Sequence, residues 1–171
     1  MNNFELIDPK EISKNITHLI GDDWMLISSG KKEHFNVMTA SWGGTGFLWG
    51  KPVAFVFIRP QRYTFEFTEI NDYLSLSFFD VEKYRKALTF CGKYSGRDTD
   101  KVKACDLTAC FTENGTPCYE EASLILEGKK LYADFLKPEA FVDSALIDRW
   151  YASGDYHKMY VVEIVSAWQK K

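Results

Sequence analysis

Along most of the chain, apolar and polar residues alternate in short runs, the period-2 pattern of β-strands. In LSLSFF, residues 74–79, Leu74, Leu76 and Phe78 fall on one face and Ser75, Ser77 and Phe79 on the other, so the run predicts a strand with one core face. Trp24–Ser28, Phe35–Trp42 and Val53–Ile58 read the same way, each followed by a turn signal: Gly30-Lys31-Lys32, Gly43-Gly44 and Arg59-Pro60. Ala122, Leu124 and Leu126 share one face of a further strand. MYVVEIVSAW, from Met159, is nearly continuously apolar, which predicts a central strand covered on both sides.

Helical spacing appears in two places. Tyr84, Ala87, Leu88 and Cys91 fit i, i+3, i+4, i+7 behind Asp80 as an N-cap. Val142, Ala145, Leu146 and Trp150 do the same after Pro138, with Gly154 closing that helix. At least six strands with short helices between some of them, and no strict βαβ alternation, predict a mainly β fold, an antiparallel barrel with peripheral α-helices. A doubly wound sheet is disfavoured. No repeat, low-complexity tract or linker divides residues 1–171, so one domain is expected.

Composition supports a folded chain, with 46% hydrophobic and 16% aromatic residues among 171. With 21 Lys+Arg against 24 Asp+Glu, the formal charge of −3 gives no general attraction to nucleic acid, so any anion site must be local. The longest uninterrupted apolar run, Val53–Ile58, is far too short to span a bilayer, and MNNFELIDPK lacks the pattern of a signal peptide. A cytoplasmic protein without a membrane segment is expected. Cys91, Cys105, Cys110 and Cys118 form no CxxC pair, and His18, His34 and His157 complete no zinc pattern, so reduced, mostly buried thiols and no metal are expected.

Three polar segments fit neither core nor plain surface. In FNVMTASWGG, from Phe35, a period-2 strand puts Thr39 and Ser41 on one face. Ala40 and Gly43-Gly44 leave backbone groups open to a flat heterocycle, although a half-exposed strand entering a glycine turn has the same sequence. In FIRPQRYTFEF, from Phe57, Arg59, Arg62 and Thr64 stand near a helix start expected at Pro60, where unpaired N–H groups favour an anion. Two surface arginines beside an ordinary helix remain the alternative. In FCGKYSGRDTDK, from Phe90, Ser95, Arg97 and Lys101 share a glycine-containing loop with Asp98 and Asp100, which is either an anion cradle or a self-neutralised turn. GxSxG, HExxH, GxGxxG and the Walker loop are all absent, so hydrolytic and metal chemistry have no support in the sequence, and any chemistry present is expected to be borrowed from a cofactor.

Together and in order, NVMTASWGG, RPQRYTFEF, CGKYSGRDTDK and YHKMYVVEIVSAW resemble the flavin reductase-like family with the FMN-binding split barrel, close to its flavoredoxin branch. The resemblance implies a Greek-key split β-barrel with short helices, a homodimer, and FMN held near the subunit interface. By the same resemblance Thr39, Ala40, Ser41 and Trp42 line the flavin, and Arg59, Arg62, Tyr63 and Thr64 meet the ribityl phosphate. Gly92, Ser95, Gly96, Arg97 and Lys101 form a second flavin-side loop, on the phosphate or on the ring.

The activity implied is NAD(P)H-dependent flavin reduction, with NADH or NADPH as donor and electrons passed onward. The alternative is an FMN electron carrier without significant nicotinamide activity. Hydride transfer between stacked rings needs geometry rather than a side-chain acid or base, so no catalytic residue is assigned. His157 either bonds a substrate or caps a strand edge, with the structural role favoured. Trp42, Trp49 and Phe47 either cover the flavin or serve core and dimer packing.

Overall fold

The computed structural model describes residues 3–171. Ten strands form: β1 (Phe4–Ile7), β2 (Met25–Lys31), β3 (His34–Ala40), β4 (Gly43–Leu48), β5 (Lys51–Ile58), β6 (Tyr73–Phe78), β7 (Ala109–Phe111), β8 (Pro117–Tyr119), β9 (Leu124–Phe135) and β10 (Lys158–Lys170). The α-helices are α1 (Ile16–His18), α2 (Tyr63–Ile70), α3 (Val81–Lys93), α4 (Lys101–Ala104) and α5 (Ala145–Trp150). An antiparallel sheet runs β3-β2-β6-β9-β10-β5-β4, with β1 pairing the end of β10, while β7 and β8 form a separate hairpin. Among the described residues no helix is long and apolar enough to cross a membrane.

Alternation explains the curl of the sheet. Met25 and Ile27 of β2, Met38 and Ala40 of β3, Val56 and Ile58 of β5, Leu74 and Leu76 of β6 and Tyr160 and Val162 of β10 all meet in one buried cluster. Strands from both ends of the sheet reach the same core only if the sheet closes toward a barrel. The residues between them face outward: Leu26, Val37 and Ile125 pack in a second cluster with Leu88 and Cys91 of α3 and with Cys118 and Tyr119 of the hairpin. Strand β10 is central as expected, between β9 and β5.

Several boundaries differ from the sequence reading. Trp24, at φ 72, lies just before β2, and the chain leaves β3 at Ala40, so Ser41 and Trp42 form a corner. Gly43 and Gly44 open β4 rather than a turn. The turn after β2 is Lys32-Glu33, as Lys31 pairs with His34. Trp49 and Gly50, both at positive φ, make the two-residue turn between β4 and β5, where right-handed strand twist requires that conformation. Ala122 precedes β9 and packs in the second cluster. Helix α3 begins behind Asp80 as expected, its Oδ1 accepting from Glu82 N–H at 3.1 Å. Helix α5 excludes Val142, buries none of its residues and is closed by Tyr151, while Gly154 shapes the following turn.

The serine face of β6 is the other correction. Ser75 and Ser77 are fully buried, because the β7–β8 hairpin covers them. Ser75 Oγ donates to Pro117 O at 2.5 Å, and Ser28 Oγ lies 2.9 Å from Tyr119 Oη. Ser77 Oγ is buried without a hydrogen bond. A desolvated hydroxyl without a partner is destabilising. Ser77→Ala is therefore expected to leave stability unchanged or to raise it by up to about 1 kcal/mol. Urea unfolding checks this, and a loss of stability in Ser77→Ala would contradict it.

Candidate functional site

The corner after β3 opens onto a cleft. One cavity, of about 320 Å³, lies against residues 38–42, Phe57 and Arg59 of β5 and its exit, and Trp150 and His157 from the C-terminal segment. A second, of about 470 Å³, is bounded by residues 61–64 at the start of α2, residues 93–96 after α3, and Lys101. Met38, Arg59 and Arg62 line both, so the cavities adjoin.

The cleft thus gathers Thr39, Ala40, Ser41, Trp42, Arg59, Arg62, Tyr63, Thr64, Ser95, Gly96 and Lys101. Gly92 stands behind Thr39 on α3, where an added Cβ would come 3.3 Å from Thr39 Cβ. Arg97 lines an adjoining cavity of about 720 Å³, which shares Tyr63, Gly96 and Lys101 with the cleft, and is paired with Glu66 while lying 4.5 Å over the Tyr63 ring. It is not grouped with Arg62. Phe47 and Trp49 are exposed on the β4–β5 hairpin and line neither part of the cleft.

The four cations differ sharply in what already holds them. Arg59 Nη1 pairs with Asp155, and its Nη2 donates to Trp150 O at 3.0 Å, so this guanidinium clamps residues 150–155. Arg62 donates to Gly92 O at 2.6 Å, and Lys101 Nζ donates to Val37 O at 2.7 Å and Cys91 O at 2.9 Å. Neither Arg62 nor Lys101 forms an ion pair among the described residues, although Lys101 is only 5% exposed. Burial first and the field of Arg59 second lower the Arg62 pKa; burial likewise lowers that of Lys101, with Arg62 opposing its charge as well. Two desolvated cations that repel each other and lack a carboxylate favour an anion between them.

Local structure adds donors. Helix α2 begins at Tyr63 instead of Pro60; Arg62 is its N-cap residue with no side-chain cap bond, and Arg62 N–H closes a turn onto Arg59 O at 3.0 Å. The first-turn N–H groups of α2 border the second cavity, where intrahelical acceptors are missing. Two of the hydroxyls are less available: Thr39 Oγ1 donates to Leu88 O at 2.5 Å, and buried Thr64 Oγ1 accepts from Asn36 Nδ2 at 2.8 Å. Gly96 is required by close approach, since a Cβ there would fall 1.9 Å from Asn36 Oδ1.

The other end of the cleft carries the aromatic rings Trp42, Phe57, Trp150 and His157. Trp42 meets Trp150 edge to face with centroids 5.0 Å apart, and the His157 ring lies 5.0 Å from Trp42. His157 Nδ1 is 2.9 Å from Tyr151 Oη, and burial, followed by the Arg59 charge, drives its pKa down to about 4. It is therefore a neutral imidazole on the cleft wall. Met38, Phe57 and Trp150 are the wall residues that sequence reasoning missed. Met38 and Phe57 lie in strands that read as ordinary core, and Trp150 sits on a short helix more than a hundred residues from Met38.

A family model described as a flavin reductase like domain matches residues 19–171. No curated protein matches the sequence significantly. Among solved structures, flavoredoxin from Methanosarcina acetivorans superposes with a TM-score of 0.66 at 21% identity, covering 86% of this chain and 68% of that one. Flavoredoxin of Desulfovibrio vulgaris gives 0.68 at 17% identity, covering 96% and 78%. Nitrilotriacetate monooxygenase component B from Bacillus cereus gives 0.65 at 17%, covering 94% and 79%. At these identities the superpositions establish a shared fold, a mostly β barrel with few helices.

Proposed function

The chain belongs to the flavin reductase-like family, and from that premise we propose that it binds FMN in the cleft and uses it as an NAD(P)H-dependent flavin reductase. The observation that carries this reading is the pair of cations without carboxylate partners, half-buried Arg62 and buried Lys101, set beside an aromatic cavity. A phosphate between them relieves their mutual repulsion, and a planar ring fits the wall of Ala40, Trp42 and Phe57. The residues present fit the cofactor.

In this assignment Arg62, Lys101 and the first N–H groups of α2 hold the phosphate. Residues 39–42 meet the ring edge through backbone groups and Ser41, while Thr39 and Thr64 shape the wall with hydroxyls already bonded within the protein. Arg59 holds the segment carrying Trp150. Arg97, held by Glu66, takes no part in phosphate binding. Bound FMN supplies a two-electron acceptor for hydride from a nicotinamide. The protein contributes orientation and exclusion of water, and neutral His157 gives no proton to the reaction.

The second reading is a carrier that holds FMN without nicotinamide activity. Trp150 favours it, because its ring stands against Trp42 and takes up room on the cavity wall. The proposal includes a homodimer, for which exposed Leu6, Phe47 and Trp49 offer apolar surface, and a single cytoplasmic domain.

The test begins with protein mixed with FMN and desalted, followed by anaerobic NADH and NADPH additions. Retained flavin absorbance that bleaches promptly is expected, with the faster donor identifying the nicotinamide preference. Retention without bleaching selects the carrier. Absence of flavin binding in a direct titration overturns both readings.

A further inference from the structure

The four cysteines stand in two close pairs. Cys91 in α3 and Cys105 at the end of α4 have Sγ atoms 3.9 Å apart, while Cys110 and Cys118 lie across the β7–β8 hairpin at 3.2 Å. All four are thiols in this structure. Cys110 and Cys118 are direct cross-strand partners, flanked by the pairs Ala109–Tyr119 and Phe111–Pro117. Directly opposed residues of an antiparallel ladder have Cα atoms about 4.5–5.5 Å apart, within the roughly 4.4–6.8 Å that a disulfide spans. The register of the hairpin is thus compatible with the bond.

We propose that Cys110 and Cys118 form a reversible intramolecular disulfide by exchange with a low-molecular-weight disulfide, making this hairpin a redox modification site that Cys91 and Cys105 do not share. The Cys110 thiolate attacks one sulfur of the small disulfide and expels the first small thiolate. The Cys118 thiolate then attacks the Cys110 sulfur of the mixed disulfide and expels the second. Two electrons pass from the protein to the small disulfide. The two thiol protons go to the released thiolates, leaving one protein disulfide and two small thiols.

The choice of nucleophile follows from position. Cys110 is half-buried on a hairpin that pairs with no strand of the main sheet, so a small disulfide reaches it. The contact with Cys118 lowers the Cys110 thiol below its ordinary value and raises that of Cys118. Conversion of Cys110 to a mixed disulfide removes the thiolate that retains the Cys118 proton. Cys105 is half-buried like Cys110, but it is not a cross-strand partner of Cys91 and their sulfurs stand farther apart; Cys91 is fully buried, burial pushes its thiol up to about 12, and burial raises Cys105 as well. Thiolates at that second pair are correspondingly scarce.

The bond would fasten a structural cover, since this hairpin provides Pro117 O to Ser75 and Tyr119 to Ser28. The experiment equilibrates the full chain with oxidised glutathione at neutral pH, alkylates the remaining thiols and maps peptides by mass spectrometry. Two alkylated thiols, the loss of two hydrogens, and a Cys110–Cys118 link that reduced glutathione reverses are expected. Cys118→Ser should accumulate a stable glutathione adduct on Cys110. Cys110→Ser, changed at the half-buried position, should show no link, and it keeps the test decisive if the core variant does not fold. Four alkylated thiols, a Cys91–Cys105 link, or a persistent glutathione adduct on wild-type Cys110 would each overturn the proposal.

Discussion

Arg62→Ala is expected to raise the Kd for FMN by about 10–100-fold while leaving the Kd for riboflavin, which lacks the phosphate, nearly unchanged. The size follows from hydrogen bonds to a charged group, worth about 1.5–3 kcal/mol each. The selectivity follows from geometry. Arg62 lines the cavity that holds Lys101 and the start of α2, and its guanidinium's one hydrogen bond among the described residues, to Gly92 O, leaves further N–H groups for an anion. Lys101→Met should act in the same direction. Two of its three donors serve Val37 O and Cys91 O, so that variant also loosens the fold and is the less clean probe.

Arg59→Ala provides the contrast. This guanidinium is already neutralised by Asp155 and bonded to Trp150 O, so its loss should release the segment beside the ring and weaken FMN and riboflavin to similar extents. Fluorescence titration of both flavins against the three variants separates the roles. An equal loss of both flavins in Arg62→Ala would remove Arg62 from the phosphate site, even with FMN binding intact in the parent protein.

The parts of this architecture that were legible in the sequence are those in which a residue's local pattern and its final environment agree. The inward residues of β2, β3, β6 and β10 alternate as a barrel wall requires, and they meet in one core. The polar serines of β6 misled because what covers them is made of strands of only three residues, too short to show a period. The helix after Pro138 misled in the opposite direction. Its apolar spacing suggested a buried face, yet Leu146 and Trp150 remain substantially exposed.

The cleft divides similarly. Residues 39–42, 59–64 and 92–101 stood out because hydroxyls, glycines and arginines broke the surrounding strand and helix patterns. The sequence did not distinguish Arg59 from Arg62, since the partner that neutralises Arg59 is Asp155, far along the chain. Nor did it show that Arg97 turns toward Glu66, or that Trp150 and His157 complete the aromatic end. These are facts of tertiary proximity, without a local signature.

His157 carries the second large effect, an acid-sensitive stability independent of any ligand. In the folded chain its ring is enclosed by Trp42, Phe57 and Tyr151, with Arg59 and Arg62 opposing protonation and Asp155 favouring it. Its pKa drops from 6.5 to about 4, so between those values the unfolded chain binds a proton that the folded chain refuses. Stability from this residue is thus complete above about pH 6.5, falls as the pH decreases, and levels off below about pH 4. At roughly 1.4 kcal/mol per pH unit the total is about 3 kcal/mol, a large share of an ordinary domain's stability. Urea unfolding at pH 7 and at pH 4.5 should show most of this loss in the wild type, whereas His157→Asn, which cannot take up the proton, should show a correspondingly smaller pH dependence. Parallel pH profiles for the two proteins would mean that the imidazole is protonated as readily inside the cleft as in water, and the neutral wall assigned to His157 would have to be abandoned.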